Sequence, residues 1–283
     1  MRFPRYSGRL AGFGLALALA LGLLLGMTGA SPAVSAQGGT VTLEWFGWSH
    51  YRLTSPNGKV ILLNPFVQNP DSTISLDDIT KVDLILAADG HPDEIGSTVQ
   101  IAQKTGAKVF APGGLNGWFI EMGVPQAQIA QRFANPGDVL RMDGIVVRIL
   151  NSVHGSELSP ATAMNPYGGL AASYMITFEN GWTVYFTGSS AATQDMALWG
   201  QMYKPDAMIF HMFGNHEPMD IAMAVKLVMT GNPNLNTLIP HHHRVTPAAG
   251  ATTIPDVRSA LDAMGIMIPI TDPVRSQVYE FTK

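Results

Sequence analysis

Three dipeptides, Asn57-Gly58, Asp143-Gly144 and Asn180-Gly181, each lie between two apolar or alternating runs, and they constrain the fold more than any other feature. Asn-Gly and Asp-Gly tolerate the positive φ angles of a tight hairpin turn. They predict hairpins joining 51–53 to 59–63, 139–140 to 145–150, and 173–178 to 183–186, with 40–45 alternating as a further strand. Around them, strand-like runs at 82–87, 108–111, 207–210, 237–239 and 277–281 alternate with helix-like segments at 95–104, 113–122, 193–203, 218–229 and 256–264. Gly123 supplies the stop for the second of these helices. Hairpins open each half and strand–helix alternation closes it. No linker, low-complexity run or charge block divides 37–283, and no short-period repeat is visible. The pattern is that of one α/β domain in which two mixed sheets are covered by helices.

The N-terminus reads differently. Arg2, Arg5 and Arg9 flank an apolar run over 10–27, and a small-residue stretch ends in Val34-Ser35-Ala36. Positive region, apolar region and small-residue site describe a secretory signal peptide over 1–36, cleaved after Ala36, and a secreted or periplasmic domain over 37–283. The apolar run is also long enough to span a bilayer, so an uncleaved segment would act as a membrane anchor. The net charge of −4 becomes more negative once those arginines are removed. Such a balance argues against nucleic acid or an anionic membrane as partner and leaves a small molecule as the expected one. The chain has no cysteine, which excludes disulfides and thiolate metal sites. Any metal must be held by His, Asp or Glu, and all eight histidines follow residue 36.

Ala88-Asp89-Gly90-His91-Pro92-Asp93-Glu94 packs three acids and a histidine between a strand and a helix-like segment. Acids this close repel one another unless a cation or protonation relieves them. Other histidines also follow strands: His154 after 145–150, His211 after 207–210, and His241-His242-His243 after 237–239. Strand ends along one sheet edge share a cleft, so these residues can converge on one metal ion. Alternation along an extended chain allows at most one or two of the three consecutive histidines to face the same pocket. His50 and His216 fall in loops, and they and His211 are expected on the rim as substrate contacts or substitute ligands. Trp48 and Trp118 could line an apolar wall.

The chain resembles the metallo-β-lactamase fold superfamily, in particular the branch of small metal-dependent hydrolases that includes L-ascorbate-6-phosphate lactonase. The resemblance is carried by Trp45-Phe46-Gly47-Trp48-Ser49, the run from Gly58 to Phe66, Val82-Asp83-Leu84-Ile85-Leu86, Thr105-Gly106-Ala107-Lys108-Val109, Tyr185-Phe186-Thr187-Gly188-Ser189 and Leu238-Ile239-Pro240-His241-His242. It implies a four-layer αββα sandwich of two mixed β-sheets flanked by helices. It also implies a metal-activated water that attacks an ester, lactone or phosphoester.

The motif H-x-H-x-D-H of that superfamily falls on residues 89–94, where His91 and Asp93 match but Asp89 and Glu94 replace histidines. His154 and His242 match later ligands. Ser189 stands where the bridging aspartate is expected, Trp48 where a histidine is usual, and Asn64 where an aspartate is usual. The resemblance thus implies a first site of Asp89, His91 and His154 and a second of Asp93, Glu94 and His242. Asp93 is the expected orienting acid/base, and Trp48 and Asn64 are expected to border the substrate. The exchanges shift the site towards oxygen donors, and a serine cannot bridge two cations. One divalent ion, Zn, Mn or Fe, is therefore expected rather than two. The alternative is an inactive relative that keeps the old cleft for a metal, a small molecule or a protein partner.

Overall fold

Gly181 adopts a φ of 83° and turns β8 (Ala172–Thr177) back onto β9 (Thr183–Phe186), with Thr177 opposite Thr183. The other two hairpins form as expected, joining β2 (Tyr51–Thr54) to β3 (Val60–Leu63) and β6 (Val139–Met142) to β7 (Ile145–Asn151). This computed structural model describes residues 38–160, 162–164 and 167–283, so the expected leader over 1–36 lies outside the described residues.

The remaining strands are β1 (Val41–Trp45), β4 (Leu84–Leu86), β5 (Lys108–Val109), β10 (Ala207–His211), β11 (Thr237–His241) and β12 (Val278–Phe281). They complete two six-stranded sheets, ordered β12-β1-β2-β3-β4-β5 and β11-β10-β9-β8-β7-β6. In each sheet the hairpin strands pair antiparallel, and β3-β4-β5 and β9-β10-β11 pair parallel. The helices are α1 (Pro92–Ile95), α2 (Thr98–Thr105), α3 (Gly113–Glu121), α4 (Asp195–Tyr203), α5 (Pro218–Gly231) and α6 (Ile254–Ala263).

Leu43, Leu53, Leu63 and Leu86 of the first sheet meet Ile149, Tyr174, Val184, Ile209 and Ile239 of the second in the central core. On its outer face the first sheet packs Leu62 and Ile85 against Ile101 of α2 and Leu115 and Phe119 of α3. The second packs Met175, Tyr185, Met208 and Leu238 against Met196 of α4, Val225 of α5 and Leu261 of α6. The layers therefore run αββα. Strands buried on both faces read as continuous apolar runs, whereas β1 alternates. Full burial of one such side chain contributes about 1.5–3 kcal/mol, which the sandwich repeats across three clusters.

Two expectations need correction. The helix over 95–104 is two pieces, because Gly96 at φ 45° ends α1 where a side chain would strike the Pro65 carbonyl. The strand expected to stop at Ile239 continues through Pro240 to His241. As the outermost strand, β11 has one side without a partner strand, and a missing N–H on that side costs no ladder bond. Pro240 instead uses its carbonyl there, accepting from Tyr51 Oη at 2.6 Å. Among the described residues no helix is long and apolar enough to cross a membrane.

Candidate metal centre

The C-terminal ends of β4, β7, β9, β10 and β11 deliver Asp89, His154, Ser189, His211 and His242 to one region. Asn64 fixes the first of these ends: its Oδ1 accepts from the Ala88 N–H at 2.9 Å, immediately before Asp89. Asp89 is fully buried. Its Oδ1 accepts from the His91 N–H at 3.0 Å and lies 3.1 Å from His91 Nδ1, while its Oδ2 lies 4.0 Å from His154 Nε2. His91 Nε2 lies 2.9 Å from Glu157 Oε2. The hydrogen bond that the His91 ring donates to Asp89 raises its pKa to about 9 against the opposing effect of partial burial, and burial lowers that of His154.

Next to this group, His242 is clamped between two carboxylates. Its Nε2 lies 2.9 Å from Asp93 Oδ2, and its Nδ1 lies 3.2 Å from Glu94 Oε1 without an aligned hydrogen bond. Burial disfavours the charged ring, but the bond to Asp93 and the adjacent Glu94 carboxylate outweigh it and raise His242 to about 9. Burial likewise works against ionised Asp93, yet its bonds from His242 and Trp48 hold it at about 2. Glu94, fully buried beside two other acids, is raised to about 7 chiefly by burial. Ser189 Oγ donates to Glu94 Oε1 at 3.1 Å.

The residues of the expected first site, Asp89, His91 and His154, do converge, with one ligand atom from each lying within 4.8 Å of the others. Those of the second also meet, but as a carboxylate–imidazole–carboxylate arrangement in which His242 Nε2 is bonded to Asp93 and Nδ1 faces Glu94 without a hydrogen bond. Several expected rim residues lie elsewhere. His50 is fully buried against Phe46 with neither ring nitrogen partnered, because it leads directly into the core strand β2. Asn64 is fully buried and serves the backbone of Ala88 rather than a substrate. His211 belongs to β10 itself, buried with its ring centroid 5.0 Å from that of His242 and 6.1 Å from that of His154. Only half-buried His216, 4.7 Å from the His211 ring in the following loop, keeps a rim position among these histidines.

Trp48 does more than line a wall. Its Nε1 donates to Asp93 Oδ2 at 2.9 Å, and its carbonyl accepts from the His242 N–H at 3.0 Å. Trp118 packs instead against Phe119 and donates to the Pro160 carbonyl at 3.1 Å. Of the three consecutive histidines, His241 turns to the Gly188 carbonyl, His242 to the acids, and His243 stacks on Trp45 at 4.4 Å. Glu157, the exposed partner of His91, carried no sequence signal beyond lying three residues after His154.

The donor set fits a divalent cation. Asp89 Oδ2, Glu94 Oε2 and His211 Nδ1 are buried without any hydrogen-bond partner. An unpartnered buried carboxylate oxygen is costly, and a cation relieves it directly. One carboxylate and two imidazoles suit Zn, Mn or Fe, and three protein ligands with a coordination position left over is the catalytic rather than the structural pattern.

The comparisons agree with this architecture. A family model described as a beta-lactamase superfamily domain matches residues 55–260. A UPF0173 metal-dependent hydrolase of Cupriavidus taiwanensis is 33% identical over 248 residues, covering 82% of this chain and 85% of the relative. Another, from Thermodesulfovibrio yellowstonii, is 33% identical over 227 residues, covering 76% and 82%. Among solved structures, Igni18, a metallo hydrolase of Ignicoccus hospitalis, superposes with a TM-score of 0.68 at 22% identity, covering 86% of this chain and all of that one. The metallo-beta-lactamase fold protein YhfI of Bacillus subtilis gives 0.62 at 11% identity, covering 86% and 100%. The chain belongs to the UPF0173 metal-dependent hydrolase family of the beta-lactamase superfamily, and its fold is the metallo-β-lactamase fold.

Proposed function

We propose that this UPF0173 family member is an exported hydrolase that works with one divalent ion held by Asp89, His91 and His154. The observation that carries the reading is the convergence of these three side chains, together with the buried, unpartnered Asp89 Oδ2. When bound, the ion supplies Lewis acidity toward water and toward the oxygen of a hydrolysable bond. Asp93 stays ionised at neutral pH and has its Oδ2 taken by Trp48 and His242, which leaves Oδ1 to accept from water and orient it. His242 balances Asp93 and Glu94 and fixes the direction of both. It stands where the resemblance implies a ligand of a second ion, and its Nε2 bond to Asp93 together with the neutral Ser189 at the bridging position favours occupancy by one. The leader-like segment with Arg2, Arg5, Arg9 and Val34-Ser35-Ala36 supports export.

A non-catalytic binding role is favoured by one feature, the neutral Ser189 at the position of the bridging carboxylate. Elemental analysis of the purified protein, followed by turnover of ester, lactone and phosphoester panels, separates the readings. A bound ion with turnover that disappears in His91→Ala and His154→Ala supports the hydrolase. A bound ion without turnover supports the binder. No ion after loading with Zn, Mn and Fe defeats both metal readings.

A further inference from the structure

A cleft of about 550 Å³ is lined in part by His242 and Trp48. These are the same two side chains that hold the Asp93 carboxylate, so the cleft and the acid–histidine site share a wall. Its sides are apolar, formed by Trp45, Phe213, Val245, Ala251 and Ile254. Phe213 stands edge-on to both shared residues, with its ring centroid 6.1 Å from Trp48 and 5.2 Å from His242. Both guanidinium groups that line the cleft lean on Asp71, and that of Arg244 also sits 5.8 Å from the Trp48 ring centroid. Arg244 Nε lies 3.4 Å from Asp71 Oδ2, and Arg275 Nη1 donates to the Asp71 carbonyl at 3.0 Å. Asp272 also lines the cleft and offsets their charge.

We propose that this cleft takes the apolar part of a neutral substrate, and that the site acts on carboxylic esters or lactones with a hydrophobic chain or ring in preference to phosphoesters. The inference rests on the hydrolase reading for its chemistry, but the cleft carries the ligand class on its own. Three acids, Asp89, Asp93 and Glu94, together with Glu157 beyond His91, crowd the reacting end. These four carboxylates outweigh one divalent ion together with one imidazolium, so an anionic phosphoester gains less at this end than a neutral carbonyl does. A neutral carbonyl substrate brings no such charge, and its apolar portion gains from leaving water. In the reaction, the oxygen of water bonds to the carbonyl carbon and the carbonyl carbon–oxygen single bond breaks. One water proton goes to the departing alkoxide, giving the carboxylic acid and the alcohol, or the hydroxy acid from a lactone.

The test uses the full purified protein loaded with Mn²⁺ and p-nitrophenyl acetate, butyrate, octanoate and decanoate, alongside p-nitrophenyl phosphate and bis(p-nitrophenyl) phosphate. In parallel, calorimetry measures the affinity of the matching N-methylalkanamides, which are neutral and stable to water. Both kcat/KM and amide affinity are expected to rise roughly two- to fourfold per buried methylene until the cleft is filled. Ala251→Trp and, independently, Ala248→Trp should flatten that rise. A flat dependence in both assays, or faster turnover of either phosphate than of the octanoate, overturns the proposal. If nothing is hydrolysed while the amide series keeps its slope and the tryptophan variants lose it, the hydrolase reading falls and the assignment of the cleft to an apolar, neutral ligand stands.

Discussion

His242 Nε2 lies 2.9 Å from Asp93 Oδ2, although 149 residues separate the two along the chain. Glu94 Oε1 lies 3.2 Å from the opposite ring nitrogen without an aligned hydrogen bond, so a cation bound through Nε2 would have to displace Asp93. At the first site a cation would displace the contacts of His91 with Asp89 or Glu157, but Asp89 Oδ2 has no partner to lose. Inductively coupled plasma mass spectrometry is therefore expected to find one ion per chain. Asp89→Asn and His154→Ala should lose it. His242→Ala should keep it while activity falls roughly 10- to 100-fold, the scale of residues that orient ligands rather than bind the ion. Loss of the ion in His242→Ala would place His242 among the ligands.

Buried His50 gives the fold an acid-sensitive component. Burial, reinforced by the charge of Arg52, lowers its pKa from 6.5 to about 3. Between these values the unfolded chain binds a proton that the folded chain refuses. The folded state is thus fully favoured above pH 6.5 and loses up to about 1.4 kcal/mol per pH unit from this group as pH falls towards 3. Neither ring nitrogen makes a hydrogen bond, so His50→Leu removes the liability without orphaning a partner. Urea unfolding at pH 7 and pH 4.5 should show a smaller acid-induced loss in the variant. Parallel curves would mean that His50 is accessible to protons in the folded chain.

The layer architecture was legible because hairpin turns and strand periodicity are local: Asn57-Gly58, Asp143-Gly144 and Asn180-Gly181 fixed which strands pair antiparallel. The convergence of Asp89, His91 and His154 followed from their places just beyond strand ends. Burial of individual site residues was not legible. Whether His211 ends a strand or begins a loop depends on its register with His241 in the neighbouring strand, a partner 30 residues away in the chain. Asn64 looked like a rim residue because nothing local announces its bond to the Ala88 N–H. Side chains alternate only along extended backbone, whereas His242 has a φ of 67°, which turns its side chain independently of its neighbours.

Gly188 shapes the site through backbone alone. At φ 54° it carries the chain from β9 to Ser189, and a Cβ there would stand 2.3 Å from the Ala172 carbonyl oxygen and 3.0 Å from Ala88 Cβ. Its own carbonyl faces His241 Nε2 at 3.1 Å. Gly188→Ala combines left-handed strain with overpacking and is expected to cost roughly 2–4 kcal/mol. Because Ala88 adjoins Asp89, metal affinity should fall together with the melting temperature. An unchanged melting temperature would show that the β9 end relaxes freely.

Ser189→Asp tests whether the serine commits the centre to a single ion. Ser189 is 1% exposed, and its hydroxyl donates to Glu94 Oε1 at 3.1 Å. An aspartate replaces that donor with a second acceptor facing a buried carboxylate, in a region already crowded by Asp89 and Asp93. Without a cation the variant has to keep one acid protonated or pull the two apart. Either cost should lower stability by several kcal/mol, as for other uncompensated buried charges. A cation between the introduced carboxylate and Glu94 would reverse this, since the pair would then supply two oxygen donors beside His242. Calorimetry is therefore expected to show a melting temperature well below that of the parent in EDTA, largely recovered with excess Mn²⁺. Metal analysis of the recovered variant should rise above one ion per chain. If Mn²⁺ restores neither stability nor a second ion, the clamp of Asp93 and Glu94 on His242 is what closes the second position, and the bridging carboxylate is secondary to it.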